Sequence, residues 1–319
     1  MCNKLIKRIM SHPVFEAEPP VLVDVGASGE VHENWKEIAP YSICLAFDGD
    51  DRDLKLARIH GKGYRELIVY HRILTSEQTE EAEFYLTKFP HCSSSLHPDY
   101  VPLSEFYFRD LFEVQKKVSL KAVTLQEVLQ ENNLSRVDWF KTDSQGTDLR
   151  LFCSMGDSVI STVKIAEFEP GLIDAYQNED KFLDLLCWMK GKPFYLDDLH
   201  VEQIYRIRKD VLQKLQNGNP AATAVKKVPG WVNALFINTG ADYLNWSMRD
   251  CLFYLVCCIL NKQYSSAYGF ASAMQERFPE ETLFPEVEKS VSKKLKYSCL
   301  NLIRNRIKNR LRWMIEKYL

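Results

Sequence analysis

The sequence predicts an α/β fold: an open, mostly parallel sheet of about seven strands with helices on both faces, followed by a helical C-terminal extension. Three observations predict it. Short apolar runs recur through the first 240 residues. Several of them stop at a carboxylate or a glycine turn, and stretches with helical apolar spacing separate them. The chain of 319 residues is long enough for one large core with an appended part. The expected organisation is a lead-in over 1–20, a Rossmann-like domain over 21–240 and a helical extension over 241–319.

The elements follow in order. Glu18-Pro19-Pro20 blocks helix continuation and leads into Val21-Leu22-Val23, which stops at Asp24-Val25-Gly26-Ala27-Ser28-Gly29. A helical pattern with Trp35 and Ile38 comes next, then the strand Ser42 to Phe47 ending at Asp48, a helix over 51–60, and a third strand from Glu66 to His71. Strand alternating with helix implies parallel strands joined by right-handed crossovers. An extra strand is expected around Glu83-Phe84-Tyr85-Leu86. The alternation resumes with a helix from Thr124, the strand Val137 to Thr142, a turn at Asp143-Ser144-Gln145-Gly146 and a helix from Thr147. The strand Thr162 to Phe168, a helical stretch from Leu172 to Met189, and the last strands at Pro193-Leu196 and Trp231-Ile237 complete the sheet. From Ala241 the pattern is helical, with the apolar run Cys251 to Leu260 read as a buried helix.

Composition narrows the function classes. A formal net charge of -2 gives no global bias toward nucleic acid, and no DNA partner is expected. The nine cysteines include no C-x-x-C pair, which argues against a zinc or redox site and for free thiols in a reducing compartment. Met1 to Met10 lacks the apolar core of a secretory signal, and Cys251 to Leu260 falls short of the roughly 18 residues a membrane span needs. A cytoplasmic location is the expectation, with the membrane surface as a second option. That option comes from the tail over 289–319, where Lys289, Lys293, Lys294, Arg304, Arg310 and Arg312 alternate with Ile303, Ile307, Leu311 and Ile315. A basic amphipathic helix of this kind can lie on an anionic membrane, dock on a partner, or pack on its own domain.

In an open parallel sheet, ligands bind outside the carboxyl ends of the strands. Asp24 to Gly29 supplies a turn of small residues that lets the backbone approach a ligand, and the helix after it is expected to point its N-terminal amides there. Asp48 is placed to accept hydrogen bonds from ribose hydroxyls, and Asp143 closes a later strand. The G-x-G-x-x-G of dinucleotide sites and the G-K-[ST] of P-loops are both missing.

At these residues the chain resembles the FkbM-type methyltransferases. The motifs are Val23 to Gly29, Ala46-Phe47-Asp48, Ser93-Ser94-Ser95-Leu96, Val123 to Leu129, and Val137 to Asp148, running within Val21 to Thr239. The resemblance implies a class I methyltransferase fold, S-adenosylmethionine as cofactor with S-adenosylhomocysteine as product, and O-methylation of a sugar, glycan, polyketide or similar hydroxylated small molecule. It places Asp24, Gly26, Ser28 and Gly29 at the methionine end of the cofactor and Asp48 at its ribose. Ile73 and Leu74 fall at adenine, and Asp143 near the transferred methyl. The family usually has asparagine at Ser28, glutamate-proline at Asp48-Gly49, and often glutamate at Gln145 and Asp148.

A sugar hydroxyl wants a base or a metal to become nucleophilic. The candidates for base are Asp143, His97, His91 and Glu169, with Asp143 and His97 as the expected catalytic pair. A divalent metal on Asp143, Asp148 or Glu169 is conceivable, but no spacing demands it. Two other readings fit the same residues. One is an RNA or protein methyltransferase using the basic tail, although no N-P-P-Y-like tetrad follows Asp143. The other is a member of the fold that kept binding and lost chemistry.

Overall fold

A computed structural model describes residues 2–27, 31–47, 63–215, 219–222 and 224–296 of the chain. It divides into two compact units, residues 19–241 and a second formed by residues 1–18 with 242–319. The expected lead-in therefore clusters with the C-terminal helices.

The unit of residues 19–241 is an α/β structure around a seven-stranded sheet. Its strands are β1 (Val21–Val25), β2 (Ile43–Phe47), β3 (Glu66–Tyr70), β7 (Trp139–Thr142), β8 (Ile165–Phe168), β9 (Phe194–Tyr205) and β10 (Lys227–Asn238). They lie in the order β3-β2-β1-β7-β8-β10-β9, all parallel up to β8, while β10 runs antiparallel to both β8 and β9. Three more strands, β4 (Ile73–Thr75), β5 (Glu81–Thr87) and β6 (Val114–Thr124), form a small sheet of order β4-β6-β5.

The sheet is central because its middle strands β1, β2, β7 and β8 are largely buried, as expected of strands covered on both sides. All five residues of β1 are buried. One face carries Val21, Val23, Leu45, Phe140 and Ala166 into a core shared with Leu125, Val128 and Leu129. Those three project from the helix Leu125–Glu131, which starts where the sequence predicts. Thr124 Oγ1 accepts the Glu127 N–H, and Glu127 Oε2 accepts the Thr124 N–H at 2.8 Å, so two otherwise orphaned donors at the helix start are satisfied. On the other side Trp35 packs edge-on against Trp139, with ring centroids 6.2 Å apart.

Three expectations are corrected. The segment around Trp35 and Ile38 forms only two short 3-10 turns, Glu33–Trp35 and Ala39–Tyr41, the second with Pro40 at its start. Residues 172–181 are loop, and the helix begins at Phe182. The reason is local: Glu179 Oε1 accepts the N–H groups of Ala175 and Tyr176, which holds the chain in a turn. The extended segments Ile73–Thr75 and Val114–Thr124 are additional to those expected. The sheet is mostly parallel as expected, with β10 alone running against its neighbours. The helix expected over 51–60 lies outside the described residues.

In the other unit, Met248–Leu260 is a helix in which every residue from Cys251 to Ile259 is buried, as expected for Cys251 to Leu260. Residues 283–296 are also helical, and the rest of the basic tail lies outside the described residues. Among the described residues, no helix is long and apolar enough to cross a membrane.

Candidate functional site

The carboxyl ends of β1, β2 and β7 meet at one place. The chain leaves β1 through Gly26, whose φ is +78°. The N–H groups of Gly26 and Ala27 both donate to the Phe47 carbonyl at the end of β2, at 3.0 and 3.2 Å. From the other side the Asp143 N–H donates to the Val25 carbonyl at 3.0 Å. The fit is close enough that a Cβ on residue 26 would sit 2.3 Å from the Asp143 carbonyl oxygen, so both conformation and space require glycine.

A cavity of about 340 Å³ opens at this meeting point. Its walls are the β1 turn (Gly26, Ala27), Phe47, the small sheet (Ile73, Leu74, Phe84), the loop carrying Pro90, His91, Ser93 and Ser95, and the β7 turn (Asp143, Ser144, Gln145, Thr147). Arg72 also lines it. The volume lies at the lower end of the roughly 300–1,000 Å³ typical of small-molecule sites.

The β7 turn is heavily braced. Asp148, 1% exposed, accepts hydrogen bonds from Thr142 Oγ1 and the Ser144 N–H at 3.0 Å each, from the Ser144 hydroxyl, and from the Glu169 N–H at 3.0 Å. Burial raises its pKa to about 6 against the opposing hydrogen bonds from Ser144, so it is mostly ionised at neutral pH. Gln145 sits in the left-handed region at φ 57°. It is held there because its Nε2 donates to Asp143 Oδ1 at 2.6 Å, its carbonyl accepts from Ser94 Oγ at 2.8 Å, and the Tyr176 hydroxyl lies 3.0 Å from its Oε1. A non-glycine residue fixed in that region next to a cavity is the kind of backbone strain that clusters at functional sites. Asp143 is thus oriented by its own backbone, by Gln145, and by a side-chain hydrogen bond with Glu169.

Asp143 also lines a second cavity, of about 180 Å³, with His32, Asn34, Lys141, Glu167, Glu169, Asp198, His200 and Asn233 among its walls. Behind it runs a row of charge across three adjacent strands, Asp24 on β1, Lys141 on β7 and Glu167 on β8, each opposite the next in register. Lys141 Nζ donates to Asp24 Oδ1 at 2.8 Å, and Trp139 Nε1 donates to Glu167 Oε1 at 2.7 Å. Burial works to lower the Lys141 pKa, but the charges of Asp24, Asp143 and Glu167 outweigh it and the net shift is upward. Burial raises Glu167 to about 7. Burial, then the charge of Asp143 and the hydrogen bond to it, hold Glu169 well above the ordinary carboxylate range. His32 is shifted downward, mainly by burial and then by Lys141.

Of the residues singled out in the sequence, Gly26, Ile73, Leu74 and Asp143 line the first cavity together. Ser28, Gly29 and Asp48 lie outside the described residues. Asp24 is not in the cavity wall: successive strand residues alternate faces, and it turns to Lys141 while the β1 tip opens toward the cavity. The expected helix amides at this turn are likewise replaced by the short turns around Trp35. His97 lines neither cavity. Its Nδ1 is 2.7 Å from the Pro98 carbonyl oxygen, and its ring packs edge-on against Tyr85 and Tyr100. His91 lines the first cavity instead, and Glu169 the second. Sequence reasoning missed Arg72 and Lys141, whose positions depend on how distant strands pair. Among the described residues no group of three or more His, Cys, Asp or Glu is arranged to hold a metal ion.

Comparison with family models, with characterised proteins and with solved structures gives no match.

Proposed function

We propose that the chain is an S-adenosylmethionine-dependent methyltransferase of the FkbM type, with a class I fold, acting on a hydroxyl of a saccharide, glycan or related metabolite. One observation carries the reading: Gly26, Ile73, Leu74 and Asp143, drawn from three separate segments, converge on one cavity at the carboxyl ends of β1, β2 and β7. The strand order, with an antiparallel strand inserted beside β8, supports this reading.

The residues present suit such a cofactor. Gly26 lets the tips of β1 and β7 close on each other at the cavity rim, where any side chain would collide with the Asp143 carbonyl. Ile73, Leu74 and Phe84 give an apolar wall for a flat base, and Asp143 sets a carboxylate beside the same space. When bound, S-adenosylmethionine supplies a methyl group on a sulfonium that is already an activated leaving group. The protein's remaining tasks are alignment, exclusion of water and removal of the hydroxyl proton. Asp143 is the group for the last of these, since it lines both cavities and is fixed by Gln145 and Glu169.

Titration calorimetry and thermal unfolding with S-adenosylmethionine and S-adenosylhomocysteine test the reading. Both ligands are expected to bind one per chain and raise Tm, and Leu74→Arg is expected to abolish both effects. No heat and no thermal shift with either ligand would overturn it.

A further inference from the structure

Resting on the methyltransferase reading, we propose that the second cavity is the acceptor subsite and that it takes a small, uncharged polyhydroxylated ring while excluding anionic acceptors. Asp143 is common to both cavities, so a group in the second lies beside the same carboxylate as a ligand in the first. At about 180 Å³ the second cavity is too small for a ligand of ordinary drug size but has room for one compact polar ring.

Its walls set the chemistry. Asp143, Glu167 and Glu169 offer oxygens to hydroxyl donors, and Asn233 and Lys141 offer donors in return. Adjacent acceptors and donors of this kind match neighbouring hydroxyls, which each give and take a hydrogen bond. Among the described residues Lys141 is the wall's one lysine or arginine, and its charge is already engaged by Asp24 at 2.8 Å. His32 is shifted toward its neutral form. A phosphate or carboxylate entering here would meet Asp143 and Asp198 while the one described lysine of the wall is already paired, so its desolvation would go uncompensated.

The transfer balances as follows. The acceptor oxygen forms its bond to the methyl carbon as the carbon–sulfur bond breaks, the electrons of that bond staying on sulfur. The hydroxyl proton passes to Asp143. The products are the methyl ether, neutral S-adenosylhomocysteine and a protonated Asp143 that loses its proton to solvent.

The test is saturation-transfer NMR on the full chain saturated with S-adenosylhomocysteine. The probes are the methyl glycosides of glucose, galactose, mannose and rhamnose, with glucose 6-phosphate as the anionic comparison. Signal is expected from at least one neutral glycoside, with the phosphate at least ten-fold weaker. Asn233→Trp and Asp198→Trp, made separately on the exposed lips of the cavity, should each abolish the glycoside signal while S-adenosylhomocysteine still binds, which shows that the variants fold. Absence of any glycoside signal, a signal that survives both plugs, or equal binding of the phosphate overturns the acceptor subsite. In each of those results retained S-adenosylhomocysteine binding leaves the cofactor reading standing, and loss of it in the unaltered protein would overturn the cofactor reading instead.

Discussion

Replacing Gly26 by alanine tests the closest packing in the site. Two costs add. Residue 26 has φ +78°, and an alanine there adopts the left-handed region at a cost of about 1–2 kcal/mol. Its Cβ would also lie 2.3 Å from the Asp143 carbonyl oxygen and 3.2 Å from the carbonyl carbon. Both atoms belong to backbone that is pinned to Val25, so relief requires shifting the β7 turn, at a further cost of about 1–3 kcal/mol by analogy with overpacked cores. The sum is about 2–5 kcal/mol. Gly191 provides the control, since it has φ +82° but nothing within 4 Å of an added Cβ. Gly191→Ala should show the conformational cost alone. Urea unfolding of both variants gives the comparison, and calorimetry with S-adenosylhomocysteine should show weakened binding only for Gly26→Ala. Equal destabilisation of the two, or undiminished binding by Gly26→Ala, would refute the claim that the tips of β1 and β7 abut at the cavity.

Three further perturbations follow. Asp148→Asn puts an amide where four donors converge on a carboxylate, so at least one buried donor loses its partner; a loss of about 2–4 kcal/mol in denaturant unfolding is expected, with weaker cofactor binding as Asp143 is released. Lys141→Met leaves Asp24 buried without its counter-charge and should cost about 3–5 kcal/mol, largely restored in a double variant with Asp24→Asn, as unfolding of the two variants would show. Glu167 binds its proton more tightly when folded than its ordinary value of 4.5 allows, with a folded pKa of about 7. Its contribution is therefore fully favourable below about pH 4.5 and is lost as pH rises through about 7, on the order of 3 kcal/mol in all. Glu167→Gln should flatten that part of the stability–pH curve measured by chemical unfolding, and an unchanged slope would exclude Glu167 as its source.

How much of this is legible in the chain depends on how local the cause is. The runs that become β1, β2 and β7 are apolar because both faces of the sheet are covered, and each ends in residues that cannot continue a strand, so the cavity's Gly26 and Asp143 stand out in the sequence. Ile73 and Leu74 fall on the cavity wall through the family resemblance, although the short strand that carries them was not expected. The strand Val114–Thr124 carries three lysines and is only partly buried, so its apolar signal is weak, and pairing with Glu81–Thr87 on one side and Ile73–Thr75 on the other holds it as a strand. Asp24 has the right type and place for a ligand contact. Its actual partner lies 117 residues away and is set by strand register, which spacing along the chain does not reveal. His97 fails for a similar reason: Ser93 and Ser95 of the same loop reach the cavity, while the histidine ring is claimed by Tyr85 and Tyr100. The Glu169–Asp143 hydrogen bond joins the end of β8 to the end of β7, and only the sheet brings them together.

The most direct measurement is a crystal structure of the chain with S-adenosylhomocysteine. Adenine should lie against Ile73 and Leu74, with the backbone of Gly26 and Ala27 beside the ligand and Asp143 next to the sulfur that had carried the methyl group. Ligand density anywhere other than the cavity at the ends of β1, β2 and β7, or a complex in which Asp143 turns away from the sulfur, would contradict the account.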